Sequence, residues 1–420
     1  MILRKVCFVL VSISIATWSV AQTLSPAAPE EVGMSSERLG RIDIVVNEYM
    51  TKKWIPGAVV LIARNGKIVL HKAYGINDPV KQTALKKDDI FRIASQTKAI
   101  TSTAILILYE EGKLLLDDPL SKYIPEFKNP KILVTFNEKD SSYTSEPAKG
   151  EITIRHLLTH TSGIDYAQIG SKELRAVYAK AKIPSGIGTP YDHLGEKMKV
   201  LGGLPLKHEP GDRFTYGLNS DVLGYLVEVI SGMNFNDFLR KRIFEPLQMN
   251  DTYFYLPKEK QSRLATLYEE KDGMVTKTFP TKNQNSDFPN SPGIYYSGGA
   301  GLSSTVEDYA KFLQMFLNGG AYNGNKILGR KTIELMLTNQ LKDNSGTFQF
   351  GLGFGLETVK NDFESPLSIG SFSWGGYYNT SYWADPKEKI IGIIFKQIYP
   401  TSHGDLDEKF KELVYQAVVD

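Results

Sequence analysis

The chain has 420 residues, 42% hydrophobic and 23% charged, with 49 Lys and Arg against 47 Asp and Glu. A formal net charge of +2 with no basic run leaves no electrostatic footprint for nucleic acid or for an anionic membrane surface. The single cysteine, Cys7, allows no disulfide within the chain, and because it lies in an N-terminal segment expected to be removed, the mature chain would carry no cysteine nucleophile or cysteine metal site.

The N-terminus reads as a signal peptide over residues 1–21. Arg4 and Lys5 form a basic n-region, Val6 to Ile15 an apolar core, and Ser19-Val20-Ala21 a small-x-small cleavage site before Gln22. The apolar run is short for a membrane span. A removable signal is therefore predicted, with an uncleaved anchor as the alternative. Cys7 lacks the small residues just upstream that a lipid-attachment cysteine would want. The expected localisation is periplasmic or secreted, with no stable membrane insertion after signal removal. Without Arg4 and Lys5, the mature chain carries 47 basic and 47 acidic residues.

Residues 35–53 begin with a serine cap and run with helical periodicity. Residues 57–75 read as a hairpin, two β-rich runs joined by Arg64-Asn65-Gly66. A long apolar helix is predicted at about 94–111, ending at Gly112, before a turn-rich stretch at 114–125. Further helices are predicted at 154–161, 171–182, 191–202 and 219–232, with strands at 252–256 and 274–279 and a loop at 280–300. A helix at 305–318 is capped by Ser304 or Thr305. Strands follow at 370–384 and 389–397, then a terminal amphipathic helix at about 405–418. With β-structure at both ends and helices between, the pattern predicts an α+β fold. Its antiparallel sheet (about 22–93 and 297–420) is flanked by helices, and the mainly helical part (about 94–296) is inserted.

The long helix carries the most informative signal. Ser95 and Lys98 lie three residues apart at its mouth, on one face and about one turn from each other. A serine hydroxyl needs a base within hydrogen-bond reach. A lysine amine can serve if burial or a neighbouring positive charge lowers its pKa, and the helix N-terminus and apolar body are expected to supply both conditions. A second candidate is Tyr216, a phenol able to shuttle a proton beside an ammonium; alternatively it is a core aromatic at a helix start. The third is Ser373-Trp374-Gly375-Gly376-Tyr377. Paired glycines in a strand mark either close approach to a ligand or a bulge or barrel-like bend, and exposed strand N–H groups could stabilise an oxyanion.

Together these elements resemble the serine β-lactamase and penicillin-binding-protein superfamily. His156-Leu157-Leu158-Thr159-His160-Thr161-Ser162-Gly163, Leu116-Asp117-Asp118-Pro119, Gly298-Gly299-Ala300-Gly301-Leu302-Ser303-Ser304 and Trp383-Ala384-Asp385-Pro386 extend the resemblance over essentially the whole mature chain. The resemblance implies a β-lactamase/transpeptidase-like fold. It implies Ser95 as acylated nucleophile, Lys98 as its base, and Tyr216 as the group that activates the serine and protonates the leaving group. The backbone N–H groups of Ser95 and Tyr377 would form the oxyanion hole, with Trp374, Gly375 and Gly376 along the substrate.

Two departures bear on substrate. Leu218 stands where class C β-lactamases and carboxypeptidases have asparagine, and Asn219 is one position further on. Trp374-Gly375-Gly376 stands where they have Lys-Thr-Gly, so a cation that would pair with a substrate carboxylate is replaced by an apolar, stacking wall. This form resembles the family VIII carboxylesterases and related acyltransferases, and it favours neutral acyl substrates.

Other candidates carry less. His156 and His160 sit four apart as zinc-binding histidines do, but Leu157 replaces the expected glutamate and no third ligand is evident. Asp117 and Asp118 read as turn and cap formers; either of Asn219 and Asp221 could line the site, with helix-cap or solvent-facing roles the preferred reading. No Gly-x-Ser-x-Gly elbow or phosphate loop is present. The expectation is an exported serine hydrolase that cleaves a small-molecule ester through an acyl-enzyme, with no metal and no cofactor. A D-Ala-type peptidase or β-lactamase acting on amides is the alternative, and an inactive binding homologue ranks below it. The loops at 132–150, 183–215 and 267–296 are expected to shape substrate choice.

Overall fold

The computed structural model describes residues 23–189, 191–279, 285–342 and 345–420. The segment read as a signal peptide, with Cys7, lies outside the described residues. In chain order, α1 (Arg41–Thr51), β1 (Gly57–Arg64) and β2 (Lys67–Asp78) are followed by α2 (Thr97–Glu110), α3 (Ile154–Leu158), α4 (Lys172–Lys180) and α5 (Leu194–Gly202). Then come α6 (Asn219–Ser231), α7 (Val306–Leu317), β3 (Phe372–Gly376), β4 (Thr380–Asp385), β5 (Ile390–Phe395) and α8 (Leu406–Tyr415).

One sheet joins the two ends of the chain in the order β2-β1-β5-β4-β3, with short edge strands at Ser25–Pro26 beside β2 and Gly355–Leu356 beside β3. The pairings are antiparallel except for Ser25–Pro26, which runs parallel to β2. β1 and β5 meet in register from Val59↔Phe395 to Arg64↔Ile390. The sheet is a packed middle layer. β1 is buried along its whole length, and successive side chains on a strand point to opposite faces. Val59, Leu61 and Ala63 thus enter one apolar cluster, while Ala58, Val60 and Ile62 enter another. The second cluster takes Ile42, Val46 and Tyr49 of α1 with Leu406, Phe410 and Val414 of α8. The first takes α7 and, continuous with it, the helices around α2. This is the mixed α+β arrangement expected from the sequence.

α2 is the axis of the helical part. Every residue from Thr97 to Leu108 is buried, because α6 packs along it and α3 packs on α6. A helix apolar on all sides is a core helix.

Several local expectations are corrected. The helix predicted over 35–53 breaks at Gly40 into Ser36–Leu39 and α1, with Ser35 capping the first piece through its hydroxyl to the Arg38 N–H. The segment read as a loop within 132–150 holds a hairpin, Lys131–Phe136 with Tyr143–Pro147. Neither strand has a buried residue, so no hydrophobic alternation marked them. No strand spans 252–256; Tyr253 makes a single bridge to Ser303. The strand predicted at 274–279 is Met274–Lys277, paired with Tyr268–Lys271. Residues 235–247 form a helical run not expected from the sequence, whose middle, Arg240–Phe244, is a π-turn. A π-turn interrupts the 3.6-residue period on which such readings rest.

Candidate active site

Ser95 sits in a tight turn, Ala94–Gln96, that feeds directly into α2. Ala94, fully buried, has φ of 43°. A left-handed alanine costs roughly 1–2 kcal/mol; the strain is held by the packing of β3 against this turn. Gly376 makes that packing feasible. A Cβ there would lie 2.5 Å from the Ile93 carbonyl oxygen and 2.2 Å from Thr380 Oγ1. The β3–β4 ladder runs from Phe372↔Ala384 to Gly376↔Thr380 without a register shift. Of the readings of the glycine pair, the bulge is therefore excluded.

Lys98 is 2% exposed, and its Nζ donates to three oxygens: Ser95 Oγ at 3.3 Å, the Tyr166 hydroxyl at 2.9 Å and the Gly299 carbonyl at 2.8 Å. An ammonium has three donors and no acceptor, so this set of partners fits the charged form. Burial pulls the Lys98 pKa down, but the oxygens of Tyr166 and Tyr216 outweigh it and hold the ammonium above the usual lysine range. This corrects the expectation of a lowered lysine. Its burial is as foreseen, but its neighbours are acceptors, not cations.

Tyr216 lies against the same ammonium, with Lys98 Nζ 4.4 Å from its ring centroid. The Trp374 indole N–H donates to the Tyr216 hydroxyl at 3.4 Å. Trp374 also meets Tyr216 and Phe350 as ring contacts at 5.7 and 5.2 Å, forming an aromatic wall on that flank. Ser95, Tyr216 and Tyr377 line one small cavity of about 30 Å³, together with Tyr166, Ile187 and Ala300. Larger cavities lie elsewhere. One of about 470 Å³ is lined by Arg155, His156, Arg213 and Phe348 and contains none of Ser95, Lys98 and Tyr216. The chemistry, not the volume, places the site at the smaller one.

Tyr166 was not among the sequence candidates. It follows the His160-Thr161-Ser162-Gly163 run by three residues, is 5% exposed, and accepts from Lys98 Nζ at a shorter distance than Ser95 Oγ does. Its ring is 5.4 Å from that of Tyr216. Burial pushes its hydroxyl pKa upward, and the Lys98 ammonium only partly offsets this.

Asn219 and Asp221 are neither caps nor solvent-facing; both are fully buried. Asn219 accepts from Ser162 Oγ at 2.5 Å and its amide reaches His160 Nδ1 at 2.9 Å. His160 Nδ1 also accepts the Gly217 N–H at 3.4 Å, and the His160 carbonyl accepts the Thr215 N–H at 2.7 Å. The His-Thr-Ser-Gly run thus clamps the loop that carries Tyr216. Burial holds His160 well below the usual histidine range, so it is neutral there. His156 Nδ1 accepts the Thr153 N–H at 3.2 Å. Leu218 is a fully buried core residue. Asp117 pairs with Arg155 through both carboxylate oxygens, at 2.7 and 2.8 Å. Asp385 accepts the N–H groups of Lys387 and Glu388 in its turn. Of the three loops expected to shape substrate choice, 183–215 reaches the cavity, through Ser185 and Ile187.

The family described as Beta-lactamase matches residues 42–416. Protein Rv1367c of Mycobacterium tuberculosis is 32% identical over 371 residues, covering 84% of this chain and 89% of that protein. Esterase EstB of Burkholderia gladioli is 29% identical over 392 residues, covering 89% and 94%. Among solved structures, EstCE1, described as a hydrolase with promiscuous acyltransferase activity, superposes with a TM-score of 0.78 at 25% identity, covering 90% of this chain and 99% of that one. The simvastatin synthase LovD of Aspergillus terreus gives 0.76 at 25% identity, covering 91% and 98%. The protein belongs to the β-lactamase family, as a serine hydrolase related to esterases.

Proposed function

We propose that this protein hydrolyses neutral carboxylic esters with small acyl groups, through an acyl-enzyme on Ser95. The observation that carries the reading is the placement of the Lys98 ammonium, buried between Ser95 Oγ and two tyrosines. In this reading the Lys98–Tyr216 pair enters the reaction short of one proton. Lys98 Nζ stays within reach of Ser95 Oγ, and the Trp374 N–H points at the Tyr216 oxygen. Ser95 Oγ bonds to the ester carbonyl carbon while its proton passes to Tyr216. The backbone N–H groups of Ser95 and Tyr377 take the oxyanion. As the carbon–alkoxide bond breaks, Tyr216 returns the proton to the leaving oxygen, and water repeats the sequence to free the acid.

The substrate class rests on what surrounds the serine. Trp374 presents an indole where a carboxylate-bearing substrate would want a cation, and the cavity beside Ser95 is narrow and lined by Ile187 and Ala300. Relatives described as an esterase and as a hydrolase with acyltransferase activity support the same reading. Export is part of the proposal, with residues 1–21 removed as a signal, and N-terminal sequencing of the secreted protein beginning at Gln22 is its test. For the activity, p-nitrophenyl acetate turnover is expected to be lost in Ser95→Ala. Unchanged turnover in that variant would end the reading, and comparable turnover of nitrocefin would move the substrate class to β-lactams.

A further inference from the structure

Two phenols reach the same ammonium, and something must decide which of them carries the proton. Tyr166 accepts a hydrogen bond from Lys98 Nζ at 2.9 Å, yet Tyr216 is the one flanked by Trp374. The asymmetry lies behind Tyr166. Asp221, in the first turn of α6, is fully buried. Its Oδ1 accepts from the Tyr295 hydroxyl at 3.3 Å. Its Oδ2 is buried without a partner at full hydrogen-bond geometry among the described residues, although the Gly299 N–H and the Ser297 hydroxyl are near enough to favour its charge. A Cβ added to Gly299 would lie 2.5 Å from Asp221 Oδ2 and 3.3 Å from the Tyr166 oxygen. The two oxygens therefore close on one bare point of backbone, the residue whose carbonyl also holds Lys98.

We propose that Asp221 is a positioning residue that acts through Tyr166: its carboxylate keeps the Tyr166 hydroxyl protonated and so reserves Tyr216 as the proton carrier between Ser95 and the leaving group. The inference rests on the acyl-enzyme reading above and deepens it. A negative charge behind Tyr166 opposes a second negative charge on its oxygen, and Asp221 is among the groups that raise the Tyr166 pKa. The charged and titratable groups facing Asp221 are Lys98 from α2, Tyr166 from the loop after α3, and Tyr295 with Ser297 from the loop before α7. Asp192 reaches the cluster only through Tyr295. Lys98 is among the groups that favour the charged form of Asp221. Burial raises its own carboxyl pKa to about 6. Below that pH the charge is withdrawn and the two tyrosines lose their distinction.

The experiment is a double-mutant cycle on p-nitrophenyl acetate hydrolysis, with the parent enzyme, Asp221→Asn, Tyr166→Phe and the double variant compared across pH 4.5–9. The parent is expected to lose kcat on an acid limb near pH 6. In Asp221→Asn, kcat falls about tenfold, the change one unit of lost tyrosine bias corresponds to, while KM moves little and the acid limb disappears. With Tyr166→Phe in place, the Asn substitution costs nothing further. A parent-like kcat and acid limb in Asp221→Asn, or the same loss in both backgrounds, would overturn the inference. Should the Asn variant not fold, the rate of Ser95 labelling of the parent by a fluorophosphonate serves instead: a fall below about pH 6 supports the role and a flat profile refutes it. Ser95→Ala separates the two failures. Residual turnover there overturns the acyl-enzyme reading, whereas loss there with an unaffected Asp221→Asn enzyme overturns only the role of Asp221.

Discussion

The Lys98 ammonium lies closer to the Tyr166 hydroxyl, 2.9 Å, than to the Ser95 hydroxyl, 3.3 Å. The lysine is thus tied first to a phenol and to the Gly299 carbonyl, and only then to the nucleophile. Its charge organises two tyrosines around the serine.

Substitution of the two tyrosines should separate their roles. Tyr216→Phe removes the proposed proton carrier and is expected to lower kcat by about 10²–10⁴, the usual range for general acid–base groups. Tyr166→Phe removes one hydrogen-bond acceptor from Lys98 and should cost only about tenfold, as expected for a bond to a charged group. Steady-state kinetics on p-nitrophenyl acetate give the comparison, and a larger loss in Tyr166→Phe would exchange the two assignments.

Trp374→Phe tests the indole donor. The ring wall against Phe350 is kept, while the N–H to Tyr216 at 3.4 Å is lost. A hydrogen bond of about 1 kcal/mol predicts a kcat lower by roughly fivefold, with KM little changed.

Gly376→Ala should damage both stability and activity. The new methyl meets the Ile93 carbonyl and Thr380 Oγ1 at 2.5 and 2.2 Å, so β3 must move away from the nucleophile turn. Overpacking of this kind costs about 1–3 kcal/mol, and the Tyr377 N–H moves with the strand. Chemical denaturation and esterase assays report the two effects, and a fully active, equally stable variant would contradict the packing described.

Asp221→Asn should be more stable than the parent at neutral pH. An aspartate titrates near 3.9 in an unfolded chain, but burial raises Asp221 to about 6 in the folded one. The native state therefore binds the proton more tightly. The stability linked to Asp221 is fully present below about pH 4 and is lost as pH rises through about 6. Burial holds His71, His156, His160 and His208 below the usual histidine range, and they act in the opposite sense, losing stability as pH falls below about 6.5. Comparing variant with parent isolates the aspartate. At pH 8 the Asn variant should gain roughly 1–3 kcal/mol, and at pH 4 almost nothing. Urea unfolding at the two pH values measures this, and a pH-independent difference would contradict it.

Much of the site was legible in the sequence, for particular reasons. Ser95 and Lys98 are joined by one helical turn, so their separation is fixed by backbone geometry alone. The strand with Gly375 and Gly376 was marked by side chains that are absent, and the Ile93 carbonyl explains why one of them is. Tyr166 was missed because its link to Lys98 spans 68 residues and depends on how a loop folds back over α2. For Asp221 a cap or solvent-facing role was preferred over one lining the site, because an acid in the first turn of a helix usually caps it or faces solvent; only the packing around α6 removes it from water. The hairpin Lys131–Phe136 with Tyr143–Pro147 left no pattern because neither strand buries a residue.

The most direct test of the account is intact mass and peptide mapping of the purified protein after exposure to a fluorophosphonate. One adduct is expected, on the peptide containing Ser95, with none in Ser95→Ala and with ester turnover lost in parallel. An adduct on another residue, or turnover that persists in Ser95→Ala, would contradict it.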